Sequence, residues 1–229
     1  MKIIVCLRSG LLEVDNRRCN DPPLALALPL NGTHEVIALL PDTAGHVDSL
    51  HRALAAGATR AVRLIDDQMS TTDYHGLGQL LASAVRALDG DLVLLGSPFD
   101  DEGLGAMSAA LAKHLGVVHV ARVEAMADGA ADASVEVTVR GGGRKRRLRV
   151  AAPAVLSAVA PPTTDVTLPT RASDAPPPPP IETLSLSDPE ATVVRRRTEH
   201  LGRPEIASRQ THIADSAAEL VDILTKRPA

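Results

Sequence analysis

The order of apolar runs predicts an α/β protein: a doubly wound, mostly parallel sheet with an appended antiparallel hairpin and an extended C-terminal arm. Three observations carry this. From residue 2 to residue 115, short apolar runs alternate with apolar stripes at helical spacing. Beyond Leu115 the pattern becomes alternating strands around Gly141, Gly142 and Gly143. A run of five prolines, 176–180, then precedes a stretch with few large apolar residues.

Residues 2–7 (KIIVCL) open the chain as a buried strand. Residues 8–23 are polar and turn-rich, ending in Asn20, Asp21, Pro22 and Pro23. A short helix is expected over 24–30, limited by Pro29 because proline lacks the N–H a helix interior needs. Residues 35–40 (EVIALL) read as the second strand, closed by Pro41 and Asp42. Val47, Leu50 and Leu54 form a helical stripe that Gly57 stops. A third strand at 61–65 is followed by a helix over 72–88, with Leu77, Leu80, Leu81, Ala84, Val85 and Leu88 on one face. Residues 91–95 (DLVLL) are the fourth strand. Such alternation requires right-handed crossovers and a parallel sheet.

After Leu115, strands are expected at 117–123, 134–140, 144–150 and 154–159. The run Arg144, Lys145, Arg146, Arg147 and Arg149 invites a nucleic-acid reading, but no aromatic residues interleave it. A solvated hairpin or a docking surface for an acidic partner is the better account. The expected organisation is a nucleotide-binding domain over 1–160, a Pro-rich linker over 161–180 and an arm over 181–229. In the arm, Leu220, Val221 and Leu224 mark a short amphipathic helix over 217–224. So little apolar surface cannot make a core of its own, which places the arm on another chain.

A hydrophobic fraction of 45% supports a packed core, and one Tyr, one Phe and no Trp mean it is built of aliphatic side chains. A net charge of −4 does not itself call for a nucleic acid or a membrane surface. Cys6 and Cys19 give no disulfide framework, and eight dispersed histidines show no metal-ligand spacing. Residues 1–7 enter a strand directly rather than forming a leader, and no apolar run is long enough to cross a bilayer. A cytoplasmic protein without membrane insertion is the expectation.

Chemistry concentrates in 91–115 (DLVLLGSPFDDEGLGAMSAALAKHL), a strand, a glycine-containing loop and a helix. In open α/β sheets, ligands sit beyond the carboxyl ends of the strands, often with a phosphate on a helix N-terminus. Gly103, Gly105 and Ser108 would let a nucleotide approach backbone N–H groups. An Asp-capped helix with glycines in a tight turn accounts for the same residues. No nucleophile–base pair is legible, and Cys6, inside a strand, reads as packing. A nucleotide-binding module is permitted; catalytic side chains are not in view.

The chain resembles the β subunit of electron transfer flavoproteins over nearly its whole length. KIIVCLR, CNDPPLALAL, EVIALLPDTAGHVDSLHRALAAGATRAVRL, DLVLLG with DDEGLGAMSAALAKHLG, APAVLSAV and HIADSAAELVDIL follow that family's order. The phrase RALAAGATRAVRL, near the family's ALAMGADRAV, is the most telling piece. The resemblance implies a heterodimer whose α subunit holds most of a redox-active FAD, with an AMP in the β-subunit crevice. It implies an electron carrier rather than an enzyme with its own catalytic residues. It implies cofactor contacts at Cys6, Asn20, Pro41, Asp100, Asp101, Gly103, Gly105, Met107 and Ser108. It also implies a flavoprotein dehydrogenase as electron donor and a quinone-reducing acceptor.

Two segments depart from the family pattern. The loop DDEGLG is shorter than the DDDxxQxG form and lacks the glutamine before Met107. After APAVLSAV, an asparagine–glutamate–proline–arginine segment and a lysine-rich stretch that help dock dehydrogenases are replaced by APPTTDVTLPTRASDAPPPPP. A dedicated donor, such as an amine-oxidising dehydrogenase, is the expectation. A second FAD in place of AMP, as in bifurcating relatives, and a non-redox adenine-nucleotide module are the alternatives.

Overall fold

A nine-stranded sheet forms the centre of the computed structural model, which describes residues 1–7, 22–41, 47–66, 74–96, 106–129, 133–159, 177–186 and 216. Its strands are β1 (Lys2–Cys6), β2 (Glu35–Pro41), β3 (Arg60–Ile65), β4 (Leu92–Gly96), β5 (Val118–Asp128), β6 (Ser134–Gly141), β7 (Arg144–Ala151), β8 (Ala154–Ala158) and β9 (Glu182–Ser185). The helices are α1 (Pro22–Ala27), α2 (Asp48–Ala55), α3 (Tyr74–Ala87) and α4 (Ala106–Leu115). Across the sheet the order is β7-β6-β5-β8-β4-β1-β2-β3-β9. Pairings from β8 to β9 are parallel, β5 joins β8 in parallel, and β5-β6-β7 run antiparallel.

This is the doubly wound sheet with an appended hairpin that the sequence predicts. Alternation within β1 divides its side chains between two layers. Ile3 and Val5 face Leu24 and Ala27 of α1 and Leu50 and Leu54 of α2. Ile4 and Cys6 face Leu81 and Val85 of α3 and Met107 and Leu111 of α4. Both faces of β1, β2 and β4 are covered, which is why these strands are continuous apolar runs. A leucine-to-alanine change at such a site costs about 2–5 kcal/mol, the upper range where the cavity cannot collapse.

Local chemistry sets the element ends. The helix expected over 24–30 is α1 followed by a 3-10 turn, Leu28–Leu30, with Pro29 near its start. Gly57 ends the second crossover at φ 111°, in the region that only glycine enters at little cost. Gly78 of α3 lies against Ala110 of α4; a Cβ there would come within 3.3 Å of the Ala110 Cβ, so the missing side chain permits the close approach of the two helices. At the start of the sheet, the Lys2 amide donates to the Asp91 carboxylate at 2.8 Å, and the Asp91 amide donates to the Lys2 carbonyl at 2.9 Å.

Two expectations change. The strand expected to end at residue 123 continues to Asp128, because β5 exchanges its parallel partner β8 for the antiparallel β6 at bulges on either side of Val123. The residues expected to begin an arm carried by another chain instead supply β9, which pairs in parallel with β3 of the same sheet. Four residues flanked by prolines give too short an alternation to show as a strand in sequence. The remaining chain divides so that Glu199–Ala229 forms a unit separate from Met1–Thr198; the helix expected over 217–224 lies outside the described residues.

β9 is fastened by Arg60. Its Nε and Nη2 donate to the Glu182 carboxylate at 2.7 Å each, and Nη1 reaches Glu35 at 3.2 Å. The fork matches a carboxylate geometrically, which favours the pair over an ordinary surface contact. The hydrogen bonds from Arg60 hold the Glu182 carboxyl below its usual range, so the pair stabilises the fold at neutral pH. That contribution is lost as acid protonates Glu182 in the folded chain. Replacing Arg60 by Ala should cost about 1 kcal/mol or less globally. It should raise hydrogen exchange at Thr183 and Leu184 well above that of β2. Acidification below about pH 4 should do the same to the native chain and little further to R60A.

Candidate functional site

The sheet reverses direction at β1. From β1 the chain crosses by α1 and α2 to β2 and β3 on one side, then by α3 to β4 on the other side of β1. The helices α1–α2 and α3–α4 lie on opposite faces. The helices that follow β1 and β4 therefore lie on opposite faces, the topology at which open α/β sheets take ligands in a crevice beyond the carboxyl ends of the strands.

Five residues define the described part of that crevice. Cys6 ends β1, with its side chain only 2% exposed in the α3–α4 layer. Pro41 ends β2 in register with Leu64, half-buried at the rim. Gly96 ends β4 and places no side chain there. Met107 and Ser108 lie in the first turn of α4, both buried. The structure thus brings Cys6 and Met107 into one packed layer, with Ser108 on the helix above it and Pro41 one strand away. Asn20, Asp100, Asp101, Gly103 and Gly105 lie outside the described residues. Gly96, whose strand-ending role is plain in sequence, becomes a site residue only through its place at the reversal of strand order.

The charge pattern of α4 favours an anion at its N-terminus. The first turn of α4 carries no acidic side chain, and its last turn carries Lys113 and His114, so the partial positive charge at its N-terminus meets no carboxylate of its own helix. The Cys6, Met107 and Ser108 side chains are all buried. The described residues contain no cluster of three or more His, Cys, Asp or Glu arranged for a metal, and no described helix is long and apolar enough to cross a membrane.

A family profile described as Electron transfer flavoprotein domain matches residues 24–189. The chain belongs to this electron transfer flavoprotein family. Among curated proteins it is similar to the Electron transfer flavoprotein subunit beta of Mycobacterium bovis and of Mycobacterium tuberculosis, 34% identical over 89 residues in each case. The protein of that name from Methylophilus methylotrophus is 31% identical over 88 residues. These matches cover 38% of this chain and 33% of each relative, so the chain matches about a third of their length. The β-subunit resemblance seen in the motifs thus agrees with the comparisons, and the family's match runs from α1 to β9, leaving β1 outside it.

Burial shifts two histidines away from the crevice. At the α3–α4 contact the His75 and His114 rings lie 4.6 Å apart. Burial, then the neighbouring His75, Lys113 and Arg86, hold His114 below the ordinary histidine range. His119 on β5 is lowered by burial alone. Both therefore fold in the neutral form, and the unfolded chain binds more protons as pH falls below about 6.5. Thermal stability should decline over that interval, and His114→Gln should flatten the decline without moving the midpoint at pH 8 by more than a few degrees.

Proposed function

We propose that this chain is the β-type subunit of a heterodimeric electron carrier, with a structural AMP in the crevice between β1 and β4. The single observation that carries the reading is the strand-order reversal with an acid-free first turn of α4 at its carboxyl end, in a chain of the electron transfer flavoprotein family. Cys6, Met107 and Ser108, with Pro41 at the rim, would line the AMP site. The loop with Asp100, Asp101, Gly103 and Gly105, together with Asn20, would complete the site. FAD, held mainly by the partner α subunit, supplies the one-electron and two-electron chemistry when bound. With one Tyr and one Phe in the sequence, this chain contributes surface and charge to the flavin rather than a ring to stack on it.

The donor in this reading is a flavoprotein dehydrogenase, an amine-oxidising one being favoured by the sequence that replaces the usual docking segment at 160–180. The acceptor is a quinone-reducing protein. Residues 1–160 serve as the nucleotide-binding domain and 161–180 as a linker. Beyond β9, the C-terminal segment docks on the α subunit, since its few apolar residues gain most by burial against another chain.

Co-expression with the α subunit, purification and release of bound nucleotides should give one FAD and one AMP per heterodimer. Two FAD would make the chain a bifurcating-type subunit, and a flavin-free monomer would overturn the carrier reading. Ala106→Glu tests the crevice itself. A carboxylate in the first helical turn is favoured by the helix dipole, so stability should hold or rise by up to ~1 kcal/mol. The same charge should repel the AMP phosphate and weaken AMP binding about tenfold, a loss of ~1.4 kcal/mol. Deleting residues 207–229 should weaken heterodimer formation, read by sedimentation or calorimetry; undiminished association would remove the tail from the interface.

A further inference from the structure

The hairpin has a charge balance unlike the rest of the chain. Residues 118–151 hold seven Lys and Arg against four Asp and Glu, within a protein of net charge −4. Strand β7 is the last strand of the sheet, paired with β6 on one side. Register places Lys145, Arg147 and Arg149 opposite Arg140, Thr138 and Glu136 on one face. Arg144, Arg146 and Leu148 lie on the other face, with Arg146 opposite Val139 and Leu148 opposite Val137.

Part of this charge is answered internally. The bulge between Val123 and Ala125 carries Glu124 inward, where its buried carboxylate pairs with Arg140 and, at 3.6 Å, with Lys145. Glu136 lies 3.8 Å from Arg149. Arg144, Arg146 and Arg147 are exposed and have no carboxylate partner among the described residues. A cleft of about 470 Å³, floored by Ala125 and Thr138, opens beside Lys145 and Arg147.

We propose that the outer edge of β7 is a docking strand for an extended acidic segment of the flavin-holding partner subunit, which adds to the sheet beside it. This rests on the heterodimer reading above. An edge strand offers unpaired backbone groups, and an added segment alternates its side chains between both faces. Acidic residues along it would therefore meet arginines on both faces, which is how β7 distributes them. Arginine also forks onto carboxylates in pairs of hydrogen bonds. A polyanion lying across one face engages only half of these cations, and β6 and β7 carry no aromatic side chain on which a base could stack. Charge on an edge strand also deters unwanted pairing, but a single lysine or proline suffices for that.

The test titrates the purified partner subunit against the full chain, its Arg146→Glu/Arg147→Glu variant and its Arg146→Lys/Arg147→Lys variant. The glutamate variant should bind about tenfold more weakly or worse, and the lysine variant, which keeps the charge but not the fork, should fall between it and the native chain. Native affinity should fall as salt rises from about 50 to about 500 mM. Assembly should protect the β7 amides from hydrogen exchange in the native chain, a readout that does not depend on any variant folding. If the native chain does not associate at all, the heterodimer reading fails. If it associates, and the glutamate variant binds equally well with β7 unprotected, the docking strand alone is overturned. Loss of binding to a labelled single-stranded oligonucleotide in that variant, with subunit affinity unchanged, would reassign the arginines to nucleic acid and also overturn it.

Discussion

The strand β1 is the constraint on which the rest depends. It hydrogen-bonds on both sides to parallel strands, and its alternate side chains are taken up by helix layers on opposite faces. A strand in that position exposes neither face to water, so Ile3, Ile4 and Val5 must be apolar, and burial of each contributes about 1.5–3 kcal/mol. The same placement creates the crevice, because the chain can reach both neighbours of β1 only by crossing opposite faces. Packing and the crevice thus have one cause.

The two ends of the sheet are built differently from its centre. At β9 a short strand with exposed side chains is held by one arginine fork to Glu182 and a contact to Glu35. At β7 the strand is cationic throughout its first four residues, and a buried glutamate from β5 neutralises only the nearest pair. In the centre, water-excluded aliphatic contacts set stability, and charge contributes little. At the edges, where solvent screens and backbone groups remain unpaired, charge decides what can join the sheet.

The sequence on its own determined the α/β class, every crossover from β1 to β4 and the hairpin. Each of these rests on local repetition: apolar runs of five or six residues, helical stripes, and glycines or prolines that end them. It also carried the family resemblance, whose phrases are continuous in the chain. What it did not show was anything decided between distant residues. The insertion of β8 between β4 and β5, the exchange of partners within β5 and the capture of Glu182–Ser185 by β3 all depend on which edges remain open once the first four strands have assembled. Likewise, Cys6 is legible as a buried strand residue, but only the sheet order sets it beside Met107 at the reversal point. Local spacing encodes the elements, whereas their neighbours follow from long-range burial and hydrogen bonding, which no short stretch of sequence contains.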